Sequence, residues 1–327
     1  MPKNSAFVCS QIFSPFMKAA VCTRYGPPEV LRIEEVERPV PKDEEVLVKI
    51  HASTVNSSDW FVRSGLRSGP LFMQMMLRLV VGFTGPRRRI LGLVLAGEIE
   101  EAGRAVKQLR VGDRVYAFTM LHFGCYAQYT CLPATSTIGL APANMSFEEA
   151  AALPYGGLLA LHYLRKGNAH NGQRVLIYGA SSAVGTSAVQ LAKNFGTEVT
   201  AVCGPANLEL ARSLGADAVI DYTKEHAPSG GQRFDLVLDA VGKRKTSMLK
   251  VACRKALAPG GKYVSVDDGS PYLPASDLVL LKELAEAGKL KPVIDRRYPL
   301  EQIAEAHRYV EQEHKKGNVV VSVTHRA

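Results

Sequence analysis

The stretch Arg174-Val-Leu-Ile-Tyr-Gly-Ala-Ser-Ser-Ala-Val-Gly185 constrains the fold more than any other part of this chain. An apolar strand, Val175–Tyr178, runs into a turn made of Gly179, Ala180, Ser181, Ser182, Ala183, Val184 and Gly185, in which only Val184 is bulky. A helix follows, with Val184, Ala188, Leu191, Ala192 and Phe195 falling near the helical period. Small side chains let backbone N–H groups approach phosphate oxygens, and the helix N-terminus adds a favourable dipole, so this pattern suits a pyrophosphate. Ser182 stands where the usual dinucleotide turn carries glycine.

The residues that follow repeat the alternation. Glu198–Cys203 predicts a second strand, Asn207–Leu214 a short helix, Ala218–Tyr222 a third strand and Phe234–Ala240 a fourth. Thr246–Leu257 predicts a helix, and Gly261–Val266 a strand after a Pro-Gly-Gly turn. Strands alternating with helices imply a doubly wound parallel sheet with ligands at its carboxyl ends. Residues 148–285 are therefore expected to form an α/β nucleotide-binding domain.

The first third has another texture. Val46–Ile50, Ile90–Ile99, Arg114–Phe118 and Tyr126–Cys131 predict strands divided by Gly, Pro and Asn, with almost no helical period. The tail, with strands expected at Pro292–Arg296 and Asn318–Val323 around a helix at Leu300–Glu313, is expected to return to it. A chain of 327 residues is long enough for two cores. The division expected is an extension at 1–16, one domain from 17–147 plus 286–327, and the parallel-sheet domain between them.

The order of several motifs resembles the medium-chain dehydrogenase/reductase superfamily, and within it the zinc-lacking, quinone-oxidoreductase-like branch. The residues concerned are Met17-Lys-Ala-Ala-Val, Tyr25-Gly-Pro-Pro-Glu-Val-Leu, Val46 through Asp59, Val111-Gly-Asp-Arg-Val and Pro142 through Leu153. The phosphate turn, Leu214 through Tyr222, and Ile294 through His307 complete the set. The resemblance implies a GroES-like irregular β catalytic domain beside a Rossmann domain. It also implies hydride transfer between a nicotinamide and a small carbonyl, quinone or enone substrate, and a homodimer joined through edge strands. An alternative is a protein that binds NAD(P)H as a structural or regulatory state with little turnover.

Zinc-dependent relatives hold their catalytic metal with a Cys, the His of a Gly-His-Glu motif and a further ligand. Here Asn56 occupies the first position, and the motif reads Gly92-Leu93-Val94. The six cysteines, Cys9, Cys22, Cys125, Cys131, Cys203 and Cys253, form no Cys-x-x-Cys pair, so neither zinc is expected. Without a Lewis acid, negative charge developing on a substrate oxygen must be met by hydrogen-bond donors. The resemblance places Asn56 and Asp59 in a turn facing the nicotinamide, and Tyr155 is the tyrosine favoured for the cleft over Tyr25 and Tyr126. His51, inside a strand, reads as structural.

The second strand ends in Cys203-Gly204-Pro205-Ala206-Asn207, with no acid to hold a ribose 2′-hydroxyl, which favours NADP(H) over NAD(H). Tyr222, with Arg212 and Lys224, is expected near the adenosine end; the resemblance adds Ala240, Val241, Gly242, Val266 and Asn318 as cofactor contacts.

The net charge of +9 is not spread as in a nucleic-acid binder. Residues 61–90 contain Arg63, Arg67, Arg78, Arg87, Arg88 and Arg89 and no acid, while the rest is nearly balanced. The apolar run 71–83 in that insertion is too short and interrupted to span a bilayer. It predicts a lid whose Phe72, Met73, Met76 and Leu77 favour apolar substrates, in preference to a peripheral membrane contact or an anion-attracting role for Arg87–Arg89. Residues 1–16 lack a secretory signal, and a cytoplasmic location is expected.

Overall fold

The computed structural model describes residues 14–65, 71–228, 231–243 and 246–325; at 71–73, 76 and 77 it describes the backbone alone. Strands β1 (Phe16–Cys22) and β2 (Leu31–Glu37) form an antiparallel pair that the Gly/Pro-interrupted sequence had concealed. The long strand β3 (Glu45–Val55) is followed by helix α1 (Ser57–Arg63) and helix α2 (Leu71–Val81), so the first third is less purely β than its sequence texture implied. Then come β4 (Val94–Ala102), β5 (Arg114–Phe118), β6 (Tyr129–Pro133) and β7 (Ile138–Leu140). β3 pairs antiparallel with β4 and β6, and β5 joins β4 to β7. Val46, Val48, Ile50, Ala52 and Val55 on β3 are buried in the resulting core.

Helix α3 (Phe147–Ala151) opens on a capping box: the Ser146 N–H donates to Glu149 Oε2 (2.9 Å) and the Glu149 N–H to Ser146 Oγ (3.2 Å). Helix α4 (Pro154–Lys166) begins with proline, whose missing N–H is no loss at the first helical position. Strands β8 (Arg174–Tyr178), β9 (Glu198–Cys203), β10 (Ala218–Asp221), β11 (Phe234–Asp239) and β12 (Leu257–Ser265) alternate with helices α5 (Ala183–Asn194), α6 (Leu208–Ser213) and α7 (Met248–Lys255). The five strands lie parallel in the order β10-β9-β8-β11-β12. The chain winds outward from β8 in one direction and then in the other, leaving a switch point between β8 and β11.

One expectation needs correction. Pro259-Gly260-Gly261 is not a turn before the last strand but an irregularity inside β12, where the register passes from Phe234↔Leu257 to Leu236↔Lys262. Gly260 takes φ +78° there, and a Cβ on Gly261 would lie 2.8 Å from the Phe234 carbonyl oxygen.

Helix α8 (Ala275–Glu286) packs against α4 and β7, and the buried Tyr116 hydroxyl on β5 donates to the Leu278 carbonyl (2.5 Å), so the two sheets are joined across it. After α8 the chain returns. Strands β13 (Ile294–Pro299) and β14 (Asn318–Ser322), with helix α9 (Ile303–Glu311) between them, extend the first sheet, β14 running antiparallel to β3.

Helices α4 and α5 approach closely at Gly156, where a Cβ would lie 2.2 Å from the Ala183 carbonyl oxygen and 2.8 Å from Ser187 Oγ. Gly156→Ala sets a gain in helix propensity of about 1 kcal/mol against an overpacking cost of about 1–3 kcal/mol. Because the obstructing atom is backbone, we expect the melting temperature to fall; an unchanged or raised value would show that the helices do not approach this closely.

Candidate cofactor and substrate cleft

The turn after β8 is tight. Gly179 has φ +80°, a conformation that favours glycine, and a Cβ there would strike Val241 Cγ2 at 2.4 Å. A Cβ on Gly185 would lie 2.2 Å from the Gly179 carbonyl oxygen, so only glycine lets α5 start this close to the strand. The Gly179 and Ala180 N–H groups both donate to the Val202 carbonyl (3.0 Å each). Ser182 is the N-cap of α5, its Oγ accepting from the Gly185 N–H (3.0 Å), which explains a serine where glycine is usual. Ala183 and Val184 open the helix, and N–H groups at those positions have no intrahelical acceptor.

These residues form one wall of a cleft of about 360 Å³. At the end of β9 it is lined by Cys203, Gly204 and Asn207, with Tyr222 lying over Gly204. Burial pushes the Cys203 thiol up to about 11. Asp221 on β10 pairs in register with Cys203, but its Oδ1 accepts from the Thr223 N–H (2.9 Å) and hydroxyl (2.7 Å). At the end of β11 the buried Asp239 shapes the next turn. Its Oδ1 accepts from the Val241 and Gly242 N–H groups (3.1 Å each), and its Oδ2 from the Tyr263 hydroxyl (2.8 Å) and Lys250 Nζ (2.7 Å). Ala240 and Val241 thereby line the cleft, with Tyr178 and Ser247 hydrogen-bonded to each other (2.9 Å) beside them.

The rest of the lining comes from distant parts of the chain: Ser57 and Trp60 on α1, Tyr155 on α4, and Val310, Glu313, His314 and Lys315 at and after the end of α9. The Tyr155 hydroxyl lies 2.9 Å from Ser58 Oγ and 3.4 Å from Ser57 Oγ, and its ring meets Phe118 edge-on at 5.7 Å.

Behind α1 is a buried polar group. Asn56 gives its amide N–H to Thr54 Oγ1 (2.9 Å), and its backbone N–H goes to Asp59 Oδ2 (2.8 Å). Both residues are buried and do not line the cleft. Burial pushes Asp59 up to about 7, opposed by the Asn56 N–H bond. Arg63, also buried, pairs with Glu311 on α9 and donates to the Gly26 carbonyl. Burial, and then Arg63, hold the buried His307 well below its ordinary value. His51 stacks on Phe147 at 4.3 Å, and burial lowers it to about 4.

Of the residues singled out from sequence, Gly179, Ser181, Ser182, Ala183, Val184, Cys203, Gly204, Asn207, Tyr222, Ala240, Val241 and Tyr155 line the cleft. Ala180, Gly185, Gly242, Val266 and Asn318 are not among the residues that line it. The Val266 carbonyl accepts from the Tyr163 hydroxyl (2.7 Å), and the Asn318 amide donates to the Val293 carbonyl (3.2 Å). Arg212 pairs with Glu209 on the surface, and its charge acts against burial on the Cys203 thiol at the cleft; Lys224 is exposed. Arg87–Arg89 lie along a separate groove with Met17, Val36 and Tyr129, so they do not draw an anion into this cleft. Helix α2 exposes Met75, Leu79 and Val80, and the side chains of Phe72, Met73, Met76 and Leu77 lie outside the described residues. Among the described residues, no group of three or more His, Cys, Asp or Glu is placed to hold a metal ion, and no helix is long and apolar enough to cross a membrane. Trp60, Ser247 and Glu313–Lys315 carried no motif; only their meeting in space marks them.

A cleft at the switch point of a doubly wound sheet, completed by α1, the start of α4 and the segment at the end of α9, is the arrangement of a dehydrogenase-type oxidoreductase scaffold. Residues 42–158 match the family model of the alcohol dehydrogenase GroES-like domain. Residues 183–289 and 270–321 match two zinc-binding dehydrogenase models. The chain is 32% identical over 325 residues to an NADPH-dependent alkenal/one oxidoreductase, chloroplastic, of Arabidopsis thaliana, covering 93% of this chain and 79% of that protein. It is 34% identical over 327 residues to a 2-methylene-furan-3-one reductase of Solanum lycopersicum, again with 93% and 79% covered. The quinone oxidoreductase of Coxiella burnetii superposes with a TM-score of 0.78 at 28% identity, over 94% of this chain and all of that one. The chain belongs to the medium-chain dehydrogenase/reductase superfamily, and it is an oxidoreductase.

Because Asp59 titrates higher folded than its ordinary value of 3.8, its contribution to stability is full below pH ~4 and is lost as pH rises through about 7. The stability of the wild type relative to Asp59→Asn should therefore fall between pH 4 and 7 and level off above, as read from urea midpoints. A pH-independent difference would refute the burial of an ionisable carboxyl here.

Proposed function

We propose that this oxidoreductase transfers hydride between NADPH and a small quinone, enone or other carbonyl compound, without zinc. The observation that carries the reading is that the N-terminus of α5 and Tyr155 line one cleft. The turn fits a dinucleotide: side chains on Gly179 or Gly185 would fill the space that keeps helix and strand together, and the first N–H groups of α5 are free for a pyrophosphate. Cys203, Gly204 and Asn207 present no carboxylate to a 2′-phosphate, which supports NADP(H) over NAD(H). The Arabidopsis relative is named as NADPH-dependent.

When bound, the nicotinamide supplies the hydride. The chain's own part is positional and electrostatic. Trp60 and Val310 give the substrate end an apolar wall, and Tyr155, oriented by Ser57 and Ser58, donates a hydrogen bond to the oxygen on which charge develops. Asn56 and Asp59 set the start of α1 and so hold Ser57 and Trp60 in place; on this reading they position the wall and do not touch ligand. Zinc independence rests on Asn56 and on Leu93-Val94 at the positions discussed above.

In this reading residues 17–147 with 286–327 form the catalytic domain and 148–285 the cofactor domain, and the protein is cytoplasmic. β12 is an edge strand and the candidate seam of a homodimer.

Purified protein should oxidise NADPH in the presence of an enone or quinone panel and keep its rate after dialysis against a chelator. Tyr155→Phe should lower kcat roughly 100-fold if its hydroxyl meets the developing charge. Ser182→Arg, which puts a long side chain at the start of α5, should abolish NADPH binding, read by nicotinamide fluorescence. Binding without consumption across the panel would instead support a regulatory NAD(P)H-binding protein.

A further inference from the structure

A pyrophosphate brings two negative charges, yet the turn Gly179–Gly185 carries no cationic side chain. Helix N–H groups supply only partial charge. Among the described residues lining the cleft, Lys315 alone is a lysine or arginine.

The position of Lys315 is fixed by the backbone around it. The Gly317 N–H donates to the Ser181 carbonyl (2.8 Å), and Gly317 pairs with Ser182 in an isolated parallel bridge. Gly317 has φ +56°, and a Cβ there would lie 2.2 Å from the Val293 carbonyl oxygen, so the strand leading into β14 lies tightly against its neighbour. The Lys316 N–H is held by Asp295 Oδ2 (3.2 Å). Between these anchors, Lys315 Nζ donates to the carbonyl of Gly317 (2.6 Å), the residue paired with the N-cap of α5. The tail segment is thus stitched to the phosphate turn and displays an ammonium group beside it.

We propose that Lys315 is the cation that neutralises the cofactor pyrophosphate, replacing the charge that the Gly-Ala-Ser-Ser turn lacks. This rests on the NADPH reading given above. On cofactor binding, Nζ would turn from the Gly317 carbonyl to a pyrophosphate oxygen.

The groups facing Lys315 are Asp295 on β13, which favours its charged form, and Glu313 and His314 beside it in the cleft wall. Burial outweighs Asp295 and lowers the amine to about 8. The free protein at pH 8.5 therefore holds much of Lys315 as neutral amine, and an arriving dianion, which favours the ammonium, draws in a proton.

Calorimetric titration of the full chain with NADPH at pH 8.5, in two buffers of different ionisation enthalpy, reads affinity and proton uptake together. The wild type should take up a measurable fraction of a proton per NADPH. Lys315→Met should bind roughly 10-fold or more weakly and lose the uptake; Lys315→Arg, always charged, should keep most of the affinity and lose the uptake. The same loss for NADH and ADP-ribose, with none for 2′-AMP, places Lys315 at the pyrophosphate. A loss confined to NADPH and 2′-AMP would overturn that assignment in favour of the 2′-phosphate, and unchanged affinity and uptake in Lys315→Met would overturn it outright. A wild type that binds none of these nucleotides would sink the NADPH reading itself, whereas wild-type binding with an indifferent Lys315→Met sinks only the role of the lysine.

Discussion

How closely α5 lies against the end of β8 decides the shape of everything around the cleft. Three glycines permit the approach. Gly179 turns the chain with a positive φ, Gly185 lets the helix start against the Gly179 carbonyl, and Gly156 lets α4 press on the first turn of α5. A methyl group at any of the three would meet an atom at 2.4 Å or less, so the geometry is steric before it is electrostatic. Its electrostatic result is a helix N-terminus aimed into a cleft with its first N–H groups unspent.

The second wall depends on the chain closing on itself. β14, near the C-terminal end, pairs with β3, and Gly317 just before it is bonded to the Ser181 carbonyl. Helix α9 packs on α1, with buried Arg63 bonded to both Glu311 and the Gly26 carbonyl. A buried guanidinium is costly to desolvate, and its worth lies in fixing one arrangement of its neighbours rather than in net stability. Here those neighbours are the helix bearing Ser57 and Trp60 and the helix leading to Glu313, His314 and Lys315. The turn after β8, α1 and the tail thus meet around one cleft.

Much of the parallel sheet was legible because its signals are local. β9 runs from Glu198 to Cys203 as the β-branched pattern predicts, and in the other sheet β5 runs from Arg114 to Phe118 as expected. The failures have physical causes. β1 and β2 alternate weakly and are interrupted by a Gly-Pro-Pro segment, so neither stands out from a loop. Pro-Gly-Gly at 259–261 carries a turn composition, but pairing with β11 keeps it inside a strand as an irregularity. Asn56 and Asp59 lie in the turn the resemblance named but off the cleft lining, the Asn56 amide N–H bonded to Thr54 and one Asp59 oxygen capping α1.

The sequence by itself determined the strand-turn-helix, the parallel alternation after it, the missing zinc-ligand pattern and the acid-free end of β9, because each is a property of residues within one or two turns of one another. Only the tertiary structure decided which side chains face the cofactor turn. Ser57 with Trp60, Tyr155, and Lys315 come from three separate stretches and are brought together by the packing of α1 on α9 and the pairing of β14 with β3. No periodicity in the chain encodes such a meeting, since it depends on contacts between residues more than 250 positions apart, such as Val55 with Val319.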